Sequence, residues 1–455
     1  MYLKCTPSVH LVCDWSLPLV YERFHYRAPG SNVVVAARLR GHIDPDRLHC
    51  AARCLAQRHP LLLARIESLE DGSAVFRPAL GTDFDIQPVD RREPFDWCTR
   101  ALEAQQAPFD LDTGPLVKFA LIHGTEATDL VVICHHTICD GRSLVELLKE
   151  LIAHLGDSTM FIGPQLSPPQ VLQEHFPKAP RARLVERLAI RSINQRWKAT
   201  GIRFDQSDYL RLHRRYWDSP PNVLVGSFTP GQTRRLVTRC RDEHVTANTA
   251  LCAAFLSAQH RVQGTWDADH RRLSMAVDLR RYMMREPDPT LGLCASGFTV
   301  NTRLRTDESF WRQTRTLHEM IRRCLSSPRT VLAMLSLNRL HPTLIDALQF
   351  GMHGSLASPA LERLLKTMRF NGVRFGLAVT NLGRVEIPES SGSIDLMGMW
   401  FVPPAFPNLE KVLGVVTVHG QLKYTLTYYP TLLPTCVAEG VRSEALAVLR
   451  RAVGW

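Results

Sequence analysis

The segment His135-His136-Thr137-Ile138-Cys139-Asp140-Gly141 joins an apolar run, Leu130-Val131-Val132-Ile133-Cys134, to the most regular helical pattern in the chain. The run is rich in β-branched residues and predicts a strand. Beyond the segment, Leu144, Leu147, Leu148, Leu151, Ile152 and Leu155 keep the i, i+3, i+4 spacing of an amphipathic helix until Gly156. Ser143 and Glu146 have the spacing of a capping box. The two histidines therefore lie on a short strand-to-helix connection, where rigid elements can hold a side chain against a cleft. An imidazole with an ordinary pKa of about 6.5 accepts and returns a proton near neutrality, so one of the pair is a candidate general base. Asp140 stands four residues beyond His136. It suits a helix cap, or a carboxylate that holds the loop by pairing with a cation or the backbone. Gly141 would let a ligand chain approach the backbone closely.

The same alternation extends outward. Residues 33–39 predict a strand, followed by a helix that Asp44 caps, Pro45 begins and Pro60 stops. Residues 116–122 and 130–134 form a hairpin about Gly124-Thr125-Glu126. Between Gly156 and Pro221, prolines at 164, 168, 169, 177 and 180 lead into a basic segment containing Arg181, Arg183, Arg187, Arg191, Arg196 and Lys198. That segment reads as a solvated helix face or as a docking face for an acidic carrier protein or a phosphorylated substrate. In the second half, Thr229 and Thr246 cap helices. Strands are expected at 273–279, 298–304, 374–380 and 394–402, with a hairpin of 412–418 and 422–428 about His419-Gly420. Two halves of similar content predict two α/β lobes with a cleft between them. The expected boundaries are 1–175 for the first lobe, 176–220 for a linker and 221–455 for the second.

Composition narrows the class. With 455 residues, 45% hydrophobic and 22% charged, the chain has ample material for large cores and is neither disordered nor collagen-like. The excess of 55 Lys+Arg over 44 Asp+Glu gives +11, which favours acidic or phosphate-bearing partners. Twelve cysteines occur without a CxxC pair or zinc-ligand spacing and read as reduced thiols; no metal is expected. Residues 1–14 are too short and polar for a secretory signal, and no run approaches the length that spans a bilayer. A cytoplasmic protein, not integral to a membrane, is expected. Cys134 and Cys139 flank the histidines, but Cys134 ends an apolar strand, so a Cys-His nucleophile is set below a His base.

The HHxxxDG pattern, read with its surroundings, resembles the CoA-dependent acyltransferase superfamily, which includes chloramphenicol acetyltransferase, plant BAHD acyltransferases and condensation domains of peptide synthetases. Arg58-His59-Pro60-Leu61-Leu62 is similar to the "RHxxLR" segment of condensation domains. Phe109-Asp110-Leu111 with Gly114-Pro115-Leu116 resembles their "FDLxxGPL" segment. In the second half, Val245-Thr246-Ala247-Asn248, Val277-Asp278-Leu279-Arg280, Gly297 to Asn301 and Thr380-Asn381-Leu382-Gly383-Arg384 look like further blocks. Residues 420–428 resemble the strand that latches the lobes. The likeness covers about residues 30 to 430.

The resemblance implies two chloramphenicol-acetyltransferase-like lobes in a V with a central tunnel, donor and acceptor entering from opposite faces. His136 would be the catalytic base and His135 a neighbouring, mainly structural residue. Asp140 would fix the loop by pairing with Arg280. Gly141, Thr380 and Asn381 would meet substrate, the last two or a backbone amide near Gly141 supplying the oxyanion donor. The implied reaction moves an acyl group from a thioester to an alcohol, giving an ester; the alternative is amide formation with an amine. The co-substrate would be an acyl-CoA or a phosphopantetheine thioester on an acyl or peptidyl carrier protein, with no permanently bound cofactor. The BAHD "DFGWG" block is absent, which argues against a plant-type enzyme. Two lobes fill the chain, so a free-standing, monomeric enzyme is expected. Rival readings are an inactive carrier-binding homologue and nucleic-acid binding through the basic segment. The first would show a decayed motif and the second an aromatic-stacking or zinc module, and neither feature is present.

Overall fold

The protein is described by a computed structural model at residues 15–80, 83–179, 182–264, 267–302, 308–367, 374–406 and 408–455. Residues 1–14, Pro180, Arg181 and the end of the strand expected at 298–304 lie outside the described residues. Two mixed six-stranded sheets dominate. The first runs in the order Ser390–Ser391, Ile394–Val402, Asn32–Arg40, Ala127–His135, Val117–His123 and Ile86–Asp90. The second runs Ala295–Asn301, Arg272–Asp278, Leu377–Arg384, Lys411–Val418, Gln421–Tyr428 and Asn222–Ser227. A small third sheet joins Leu17–Pro18, Ala74–Pro78 and Ala64–Ser68.

Local sequence accounts for most of these elements. Ala127–His135 is buried at every position, as a strand covered on both faces must be. Pro45–Arg58 begins at Asp44, whose carboxylate accepts from the Asp46 N–H, and ends before Pro60. Thr229 and Thr246 cap Pro230–Asp242 and Ala247–Gln263 through their hydroxyls. The hairpin of Lys411–Val418 and Gln421–Tyr428 turns at His419 and Gly420, both at positive φ (48° and 71°), where glycine carries no steric cost.

The expected latch is corrected. Gln421–Tyr428 lies inside the second sheet, between Lys411–Val418 and Asn222–Ser227. The strand that crosses is Ile394–Val402, which leaves the second half of the chain and pairs antiparallel with Asn32–Arg40, setting Trp400 opposite Ala36 and Phe401 opposite Val35. Trp400, Phe401 and Met399 thus join the core of the first sheet. The span 176–220 holds two helices, Leu184–Lys198 and Gln206–Trp217. The first is anchored by Trp197, which is buried and donates its indole N–H to Thr343 Oγ1 at 2.8 Å; Leu184, Val185 and Leu188 at its other end are exposed. Its Arg187, Arg191 and Lys198 line a groove of about 430 Å³ with Arg339 and His341. Among the described residues, no helix is long and apolar enough to cross a membrane.

The crossover strand is approached through a tight contact. A Cβ on Gly156, the last residue of helix Gly141–Gly156, would stand 1.8 Å from the Ser391 carbonyl oxygen. Gly156→Ala is therefore expected to push the Ser390–Ser391 arm off the helix and to cost about 1–3 kcal/mol, as overpacking does. Thermal unfolding checks this, and an unchanged midpoint would contradict the contact.

Candidate functional site

His135 ends its strand and His136 opens the turn, with the His135 N–H bonded to Leu116 O and the His136 N–H to Ser31 O, both at 2.9 Å. The strand's alternation sends the neighbouring rings to different surroundings. His135 is fully buried: its Nδ1 meets Thr137 Oγ1 at 2.8 Å, Phe109 packs edge-on at 5.6 Å, and Nε2 is sealed without a partner. Burial, reinforced by His136, pushes its pKa down to about 3. It does not line the cavity: its place is in the packing beneath the turn.

His136 does line a cavity, of about 660 Å³, formed where the second sheet faces the histidine turn. Its Nδ1 lies 2.7 Å from the Cys139 carbonyl oxygen. A carbonyl only accepts, so Nδ1 carries the proton and Nε2 keeps its lone pair. Burial lowers the His136 pKa from its ordinary value, opposed by the Cys139 carbonyl and by Asp140, so the ring is neutral at pH 7.

Asp140 is the N-cap of helix Gly141–Gly156, and the reciprocal capping pair is Asp140 with Ser143 rather than Ser143 with Glu146. The Ser143 N–H donates to Oδ1 at 2.8 Å, and the Asp140 N–H donates to Ser143 Oγ at 2.9 Å. Oδ2 takes the Arg280 guanidinium at 2.9 Å and the Cys294 N–H at 2.8 Å, both from the second half of the chain. Burial raises the Asp140 pKa, but Arg280 and the N–H donors outweigh it and hold the carboxyl below its ordinary value. Both oxygens are fully engaged, so Asp140 holds geometry and has no oxygen left for proton transfer.

The remaining expected residues divide. Thr380 lines the cavity. Asn381 does not: its amide donates to Asn248 Oδ1 at 3.0 Å and its oxygen accepts from the Gly383 N–H at 2.7 Å, so it shapes a turn. Gly141 touches the cavity, but the space its Cβ would occupy is filled by Leu382 and the Phe401 ring, at 2.7 and 2.9 Å. Close protein packing, rather than room for a ligand, demands this glycine. Cys139 is buried, and desolvation followed by Cys134 raises its pKa well above the thiol range, which removes a thiolate nucleophile.

One residue escaped sequence reasoning. His25, on the short helix Arg23–Tyr26, lines the cavity with its ring centroid 4.2 Å from that of His136. Its helix is tied to the second half of the chain by the buried Arg23–Asp346 pair and by Gln349, whose amide donates to Phe24 O at 2.6 Å. No spacing in the sequence links His25 to residues 135–141.

Asp140→Asn is expected to destabilise by up to about 3–5 kcal/mol, the cost of breaking a buried ion pair, with Asp278, 3.1 Å from Arg280, offsetting part of it. Because the folded pKa of Asp140 is depressed, its contribution is complete above the ordinary carboxylate range and is lost as pH falls through the folded value. Thermal midpoints of wild type and variant, measured from neutral to acid pH, should converge at the acid end. Parallel curves would contradict the linkage.

Residues 19–156 match the family described as Condensation domain. Cyclosporin synthetase simA of Tolypocladium inflatum is 26% identical over 259 residues, 51% of this chain, while the chain spans only 2% of that synthetase's length. Among solved structures, the TRI3 trichothecene 15-O-acetyltransferase from Fusarium sporotrichioides superposes with TM-score 0.65 at 11% identity, covering 96% of this chain and 95% of that one. The condensation domain of the monacolin K polyketide synthase MokA gives 0.60 at 13%, covering 97% and 98%. Residues 19–156 are thus similar in sequence to condensation domains, and the chain as a whole shares the fold of the two-lobed condensation-domain structures.

Proposed function

We propose that the protein transfers an acyl group from a thioester to an alcohol, with His136 as the general base. The observation that carries the reading is the Nδ1–H of His136 donated to the Cys139 carbonyl, which leaves Nε2 unprotonated on a ring that lines the cavity. The acceptor hydroxyl gives its proton to Nε2 as its oxygen attacks the thioester carbonyl carbon. The tetrahedral adduct then collapses, the C–S bond breaks and the proton passes from Nε2 to the departing sulfur. The donor is an acyl-CoA or an acyl chain on the phosphopantetheine of a carrier protein; the likeness of residues 19–156 to condensation domains, which work with carrier domains, supports the second form.

The cavity wall favours an alcohol over an amine. Met275, Met334, Met352, Phe298, Phe375 and Phe406 make it largely apolar. Among the described lining residues, Asp140 is the one side chain that is charged at neutral pH, and Arg280 already neutralises it. An alkylamine, with a pKa of about 10, arrives as an ammonium ion and would find no free carboxylate. An alcohol enters uncharged and needs a proton acceptor only as it attacks. The same wall suits a donor or acceptor with substantial apolar surface, which a neutral cavity desolvates at little cost.

His136→Ala is expected to lower kcat for thiol release by about 100- to 10,000-fold, the usual range for a general base, with acyl-CoA or acyl-carrier donors and a panel of alcohols. Release at the wild-type rate would overturn the assignment. In the wild type, the folded pKa of His136 is depressed, so the base remains available below pH 6.5. The acid limb of kcat/KM should therefore have its midpoint below 6.5. A midpoint above it would contradict the buried, neutral ring.

A further inference from the structure

Ser31 contacts both cavity-facing histidines, His136 at its backbone and His25 at its ring. Its carbonyl accepts the His136 backbone N–H at 2.9 Å, and its hydroxyl oxygen lies 2.6 Å from His25 Nδ1. Ser31 has no exposed surface, so its hydroxyl proton must find an acceptor within the protein. Among the described residues, His25 Nδ1 is the acceptor within reach. The Ser31 O–H therefore donates to Nδ1, and the His25 proton sits on Nε2. No described residue takes that N–H, and His25 is part of the cavity wall.

The two rings, tilted 41° to each other, thus present opposite chemistry to one space, a lone pair from His136 and an N–H from His25. Burial, followed by the fields of His136 and His135, drives the His25 pKa well below its ordinary value, so this donor is neutral in the resting protein. A neutral imidazole is a competent electrophile toward a carbonyl oxygen. The second sheet supplies only Thr380 as a sequence-expected oxyanion donor, since Asn381 is occupied elsewhere.

We propose that His25 is a catalytic residue that donates its Nε2–H to the thioester carbonyl oxygen and stabilises the oxyanion formed when the acceptor attacks. The inference rests on the acyl transfer proposed above. As the new C–O bond forms, the carbonyl π pair moves onto oxygen and is held by the His25 N–H. When the C=O bond reforms, the sulfur leaves with its bonding pair and takes the proton from His136, and His25 ends as it began. The 4.2 Å ring spacing allows one tetrahedral carbon to lie against both side chains.

The test separates donor from packing. His25→Phe keeps a ring against His136 but removes the N–H, and is expected to lower kcat about 100- to 1000-fold with KM and thermal midpoint nearly unchanged. His25→Asn, which restores an N–H, should recover part of that loss. Thr380→Val should cost much less than His25→Phe. Independently of turnover, the spectrum of 15N-histidine-labelled protein, assigned by the peak missing in His25→Phe, should show the Nε2–H tautomer for His25. A His25→Phe enzyme with wild-type kcat, a dominant loss in Thr380→Val, or an Nδ1–H tautomer would each overturn the role of His25 while leaving acyl transfer intact. A wild-type protein that releases no thiol from any donor would instead remove acyl transfer and the role of His25 with it.

Discussion

The buried ion pair between Asp140 and Arg280 is the constraint on which the site depends. Neither charge could remain in this interior alone, because each would forfeit its hydration without compensation. The pair therefore fixes the strand-to-helix turn of the first sheet against the second half of the chain. One residue before Asp140, the Cys139 carbonyl sets the tautomer and orientation of His136. Backbone geometry carries the effect from the ion pair to the imidazole over a single peptide link. The Cys294 N–H and the Gly292 carbonyl, the latter accepting from Ser143 Oγ at 3.0 Å, repeat the same tie from the other side.

Burial then determines what the histidines are. His25, His135 and His136 each lie where an imidazolium is poorly solvated, and each is driven toward neutrality. Their roles differ through their hydrogen bonds. Nδ1 of His136 is pinned to a carbonyl, Nδ1 of His25 faces a hydroxyl, and His135 is closed off beside Thr137. In an apolar cavity, a proton acceptor and a proton donor interact with substrate more strongly than in water. The arrangement suits a reaction whose reactants are neutral and whose charge appears only in passing.

Much of this was legible in the chain because the signals are local. The hairpin Val117–His123 and Ala127–His135, the helix after Asp140, and the caps at Asp44, Thr229 and Thr246 follow from short patterns of apolar spacing and capping chemistry. The Asp140–Arg280 pairing came from a family likeness, since no local rule joins residues so far apart. The crossover was misplaced because a strand pattern announces a strand but not its neighbour: 394–402 and 422–428 both read as strands, and only tertiary packing decides which sheet each joins. His25 was invisible for a related reason. It sits on a four-residue helix without periodicity, and its meaning comes from a ring contact formed in three dimensions. In 176–220 the basic segment already read as a helix face, but the helix Gln206–Trp217 was not foreseen, and Trp197 and Tyr209 supply burial that composition alone does not reveal.

The pairing of Ile394–Val402 with Asn32–Arg40 also shapes how the molecule can be made. During synthesis, Asn32–Arg40 can pair with Ala127–His135 early, yet its opposite flank has no partner until residue 402 has left the ribosome. A strand edge rich in valine is open to other chains until then, the condition under which nascent proteins aggregate. Splitting the gene between the halves would perpetuate that exposure, so the two parts should be co-expressed, or left joined, for either to stay in solution.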